Sequence, residues 1–72
     1  MTPAQRRAEA ERVRRLCIGR TTLSRGRVIE AARLDQRDPT VIWITFAGTG
    51  LAPFREALYT PKEVLDMIGE RR

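Results

Sequence analysis

Seventy-two residues make at most one domain, and a chain this short buries only about 60% of the surface it exposes when unfolded, so its core needs help from tight packing, a cross-link, a metal or self-association. One cysteine, Cys17, and no histidine exclude an intrachain disulfide and a Cys/His zinc site. The formal charge of +5 is unevenly placed: residues 1–27 hold eight arginines against Glu9 and Glu11, a balance of +6, while residues 28–72 hold six basic residues against seven acids, a balance of −1.

Thr2-Pro3-Ala4-Gln5 has the pattern of a capping box, with a hydroxyl at the N-cap, proline at the first helical position and an amide at N3. Helix formers follow as far as Gly19, which predicts a helix over about 3–18. On a helical wheel Ala10, Val13, Leu16 and Cys17 share one arc, and Arg7, Glu11, Arg12, Arg14 and Arg15 fill much of the rest. The spacings Glu11/Arg15 and Glu9/Arg12 suit exposed ion pairs worth a few tenths of a kcal/mol each.

Thr21, Thr22 and Leu23 predict a short strand over 20–24, and Ser24-Arg25-Gly26 a turn. Residues 27–35 read as a second strand with a blurred period of two: Val28, Glu30, Ala32 and Leu34 on one side, Arg27, Ile29, Ala31 and Arg33 on the other. A helix competes for this segment through Glu30-Ala31-Ala32-Arg33-Leu34, but no cap precedes it and β-branched Val28 and Ile29 open it.

Asp35 to Pro39 is a polar turn. Val41 to Ala47 is the strongest strand in the chain, expected over 40–47, and with both faces apolar it belongs at the centre of the sheet. A loop through Gly48-Thr49-Gly50 and Ala52-Pro53 leads to a partner strand over 54–59. Thr60-Pro61-Lys62-Glu63 repeats the capping box with glutamate at N3 and starts a short helix over 61–68, closed by Gly69. The elements define a single α+β domain over 1–72: an N-terminal amphipathic helix, an antiparallel sheet of three or four strands forming a meander or an SH3-like small barrel, and a short C-terminal helix.

Without histidine, and with its carboxylates scattered beside turns, the chain is read as non-enzymatic, with no cofactor and no metal. Cys17 sits on the apolar arc and is read as a small buried hydrophobe. Gly48-Thr49-Gly50 meets neither the P-loop nor the dinucleotide pattern and is read as a hairpin loop. No apolar stretch approaches a membrane span, no hydrophobic signal region follows the basic N-terminus, and a lone cysteine agrees with a cytoplasmic setting.

The functional expectation rests on charge. Arg7, Arg14, Arg15, Arg20, Arg25 and Arg27 are the candidate contacts to a nucleic acid or another polyanion; the competing reading is a merely solvated arginine face. The alternative is a protein-interaction or accessory module, of the size found in mobile elements and phages, that docks on a partner or forms a homo-oligomer through Trp43, Leu51 and Phe54.

Overall fold

The computed structural model describes residues 1–23, 26–47 and 55–70. In chain order they form helix α1 (Pro3–Cys17), strands β1 (Ile29–Leu34), β2 (Ile42–Phe46) and β3 (Arg55–Tyr59), and helix α2 (Pro61–Ile68). Among the described residues the strands make one antiparallel sheet in the order β1-β2-β3, an open meander.

Both helices start where the capping boxes place them. The Thr2 hydroxyl accepts from the Gln5 N–H at 3.2 Å while the Thr2 N–H donates to Gln5 Oε1 at 2.8 Å. Thr60 and Glu63 repeat the exchange at 3.2 and 2.9 Å. Each box satisfies two backbone or side-chain partners that a bare helix end leaves to water. α1 ends one residue before its expected limit, because Ile18 takes extended backbone angles (φ −62°, ψ 127°). Gly69 closes α2 at φ 79°, a left-handed position that a residue with a Cβ occupies only under strain, and an added Cβ there would lie 3.2 Å from Leu23 Cδ1.

Of the strand expected over 20–24, the described residues 20–23 form only an isolated bridge. Thr21 makes a single antiparallel bridge to Val28, with the Thr22 N–H bonded to the Arg27 carbonyl and the Ile29 N–H to that of Arg20. At Leu23 the chain leaves this pairing, since its N–H bonds instead to the Met67 carbonyl at the end of α2. A tertiary bond to a helix thus overrides local β preference. Ser24 and Arg25 lie outside the described residues.

β1 also differs from strict alternation. Ile29 pairs with Phe46 but Ala31 with Thr45, so the register shifts between Ile29 and Ala31 and leaves Glu30 as the extra residue of a bulge. Ile29 is therefore buried together with the half-buried Ala32 and Leu34, while Val28, expected on their side, is 43% exposed. β2 alternates cleanly: Ile42, Ile44 and Phe46 are buried, Trp43 and Thr45 half-buried. α1 packs on β1 and α2, and Ala10, Val13 and Cys17 join Ile29, Ile42, Ile44, Phe46, Val64 and Ile68 in one core. The opposite surface of the sheet carries Arg33, Trp43 and Leu58 in one row and Ala31, Thr45 and Glu56 in the next.

Candidate functional site

The arginines of the basic third divide into held and unheld groups. Arg14 is held most firmly: Nε and Nη2 donate to the two carboxylate oxygens of Glu11 at 2.9 and 2.6 Å, and Nη1 donates to the Ala32 carbonyl at 3.3 Å. This fork ties α1 to β1, which makes Arg14 a structural strap and not a free cation. Arg15 Nε donates to the same Glu11 at 3.0 Å, but its side chain is 74% exposed. Arg20 pairs with Glu70 at 3.1 Å. The Arg27 guanidinium lies 5.7 Å from the centre of the Phe46 ring.

Arg7 is exposed and has no carboxylate partner among the described residues, and the same is true of Arg6 and Arg12, two residues that sequence reasoning left out. Arg12 and Glu9 have the spacing of an exposed ion pair, yet neither joins one among the described residues. Arg6 falls on the apolar arc of the wheel, but at the end of α1 it overhangs the core and stays exposed. The first turn of α1 holds no acid, so the positive pole of its dipole is uncompensated beside Arg6 and Arg7. Of the six expected contacts, Arg7 and Arg15 are exposed on α1, Arg14 is tied inward, and Arg20 and Arg27 flank the turn that follows; Arg25 lies outside the described residues.

The bidentate contact from Arg14, joined by Arg15, holds the Glu11 carboxyl at about 2 against an ordinary 4.5. A carboxyl with a depressed folded-state pKa stabilises the fold above its unfolded pKa, and that contribution disappears as pH falls through the folded value. Stability is accordingly expected to drop between pH 4.5 and about 2, and Glu11→Gln to flatten that part of the profile. Urea midpoints measured across this range for both chains check it; parallel profiles would disprove the assignment.

Cys17 is fully buried and its Sγ donates to the Arg14 carbonyl at 3.3 Å. Burial pushes the thiol above its ordinary 9.0, so at neutral pH it is protonated and weakly nucleophilic. Among the described residues no three Cys, Asp or Glu side chains converge to hold a metal ion, and no helix is long and apolar enough to cross a membrane.

Trp43 sits half-buried on the outer sheet surface, its Nε1 donating to Asp35 Oδ1 at 3.2 Å and its ring covered by the Arg33 guanidinium at 5.2 Å. Leu51 and Phe54, grouped with it in the expected interaction surface, lie outside the described residues, as do Gly48, Thr49 and Gly50. On the inner side a cleft of about 270 Å³ opens where the turn after α1 and the end of α2 meet the sheet, lined by Thr22, Leu23, Arg27, Phe46, Tyr59, Asp66 and Met67. Phe46 is buried, while Tyr59 is half-buried and meets it edge to face at 6.3 Å and 85°.

Fold and surfaces define a small basic α+β domain built on a three-stranded meander. No family model, no curated protein and no solved structure matches this chain.

Proposed function

We propose that this chain is a non-enzymatic binding protein that grips the phosphate backbone of a nucleic acid through the solvent side of α1. The supporting observation is that Arg7 and Arg12 are exposed on that side of the helix and join no ion pair among the described residues. Arg15 joins them at small cost, because an ion pair this exposed is worth at most about 1 kcal/mol and yields to a phosphate. Guanidinium forks match phosphate oxygens, and nothing in this grip distinguishes one base sequence from another. Binding is therefore salt-sensitive and sequence-tolerant. Three phosphate contacts to duplex, from Arg7, Arg12 and Arg15, correspond to a slope of about −2.7 in log affinity against log salt. Fluorescence anisotropy with random duplex and single-stranded oligonucleotides, read over a salt series, tests this; absence of binding at low salt removes the reading. A cytoplasmic setting goes with it, supported by the single unpaired cysteine.

A second reading, self-association, is favoured by the outer sheet surface. Neither helix covers this side, and it shows Trp43 half-exposed beside Leu58, which is 44% exposed. The occupant we infer is a second copy of the chain. With β2 on a two-fold axis the two Trp43 rings meet, and Arg33 and Glu56, paired at 3.1 Å within one chain, can exchange partners between chains. Sedimentation equilibrium at tens of micromolar is expected to give twice the 8.2 kDa chain mass; the chain mass itself would sink this reading.

A further inference from the structure

The inner cleft brings together three polar side chains from separate parts of the chain. Arg14, Arg15, Arg20 and Arg33 each meet a carboxylate. At the cleft the Arg27 guanidinium, the Tyr59 hydroxyl and the Asp66 carboxylate have no hydrogen-bond or ion-pair partner among the described residues, although all three line one space. Arg27 brings donors and Asp66 an acceptor, and the Phe46 and Tyr59 side chains and the thioether of Met67 line the same space. At 270 Å³ the space falls just under the range of about 300–1,000 Å³ that holds drug-sized ligands, which limits it to a single ring system.

We infer that this cleft takes one unpaired guanine base of a single-stranded nucleic acid. A flat body suits the half-buried Tyr59 ring, because every base has a face that stacks on aromatic side chains, while Phe46 is buried beneath the Arg27 guanidinium. Guanine in addition carries the complementary edges. Its O6 and N7 accept a guanidinium fork, which Arg27 can supply, and its N1–H and N2–H₂ donate together to a carboxylate, which Asp66 can supply. Adenine presents an acceptor at N1 where guanine has a donor, so it faces Asp66 with repulsion, and pyrimidines stack over less area. The inference goes beyond the phosphate grip on α1: it rests on that reading for the strand, but recognition of the base alone is independent of it.

The experiment is an NMR titration of ¹⁵N-labelled full-length chain with guanosine, adenosine and cytidine monophosphates and with N-acetyl-tryptophan amide. Guanosine monophosphate is expected to shift the amides of Leu23, Arg27, Tyr59 and Met67 and to bind about tenfold or more tightly than adenosine monophosphate, the discrimination of a good bidentate contact. Asp66→Asn, an exposed site whose exchange spares the fold, is expected to erase that preference. Arg27→Gln is expected to weaken every nucleotide. No shift at these amides with millimolar guanosine monophosphate, equal binding of adenosine monophosphate, or saturation by the tryptophan derivative in place of the nucleotide would overturn the inference. Failure here is separable from failure on α1. With Arg7, Arg12 and Arg15 changed to Glu, the guanosine shifts are expected to persist while oligonucleotide binding is lost; oligonucleotide binding with silent cleft amides would overturn the cleft alone.

Discussion

Changing Arg7, Arg12 and Arg15 together to glutamate is expected to abolish oligonucleotide binding and leave the fold in place. The three substitutions move the formal charge from +5 to −1 and that of α1 from +3 to −3, since the helix holds five arginines and two glutamates. A phosphate backbone that met a basic helix then meets an acidic one, and affinity at about 50 mM salt should fall by two orders of magnitude or more. The fold survives because all three side chains are exposed and only Arg15 is paired, in a contact worth under about 1 kcal/mol. Arg14 is left alone, since its fork to Glu11 and its bond to the Ala32 carbonyl hold α1 on β1. The neutral counterpart, glutamine at the same three positions, avoids new repulsion along the helix and should lower the salt slope by about 2.7. Unchanged affinity with either chain, with circular dichroism showing native helix content, would place the contact elsewhere.

Position relative to the sheet, more than residue type, decides what each arginine does. Glu9/Arg12 and Glu11/Arg14 share the same spacing, yet only the second forms a pair. Arg14 lies on the flank of α1 that passes over β1, where the Ala32 carbonyl supplies a third acceptor and fixes the side chain, whereas Arg12 points to solvent and gains nothing that offsets the entropy of holding two long side chains. Sequence spacing carries no record of that carbonyl, eighteen residues away. The balance of +6 in the first third therefore overstates the unpaired charge, since Arg14 and Arg20 are held by carboxylates while Arg6 and Arg12 join no ion pair among the described residues.

Local signals were read correctly where local chemistry decides the outcome. The two capping boxes place both helix starts, because a hydroxyl and an amide or carboxylate three residues apart bond only each other's backbone. The α+β order and the central place of β2 follow from apolar patterning. The blur in β1 was a real trace of the bulge at Glu30, although the pattern alone could not say which residue was extra. What stayed hidden depends on distant partners: the Leu23 bond to Met67 that ends the expected first strand, and the cleft, whose walls are drawn from residues between Thr22 and Met67. Arg27 and Asp66 face one space only because α2 returns to the turn that follows α1.

Ile44→Ala is expected to have the largest effect on stability of any single truncation in the sheet. Ile44 is fully buried at the centre of β2, between Ala32 of β1 and Ala57 of β3, so two small neighbours leave its side chain to fill the space under the helices. Removing it deletes the transfer free energy of three carbons and opens a cavity that a close-packed core closes only in part, at a cost of about 2–5 kcal/mol. A domain of this length holds about 4–11 kcal/mol in all. A loss of about 3 kcal/mol lowers Tm by roughly 12–24 °C in a domain this small. Thr45→Ala, one position along the same strand, serves as the internal control. Thr45 is half-buried on the outer surface, where its hydroxyl donates to Glu56 at 3.3 Å, and its truncation should cost less than about 1 kcal/mol. Because side chains alternate across a strand, a slip of one residue in β2 would exchange the two outcomes. Paired thermal melts of the two chains thus read which face of β2 is buried: similar Tm values, or a larger loss for Thr45→Ala, would refute the inward placement of Ile44.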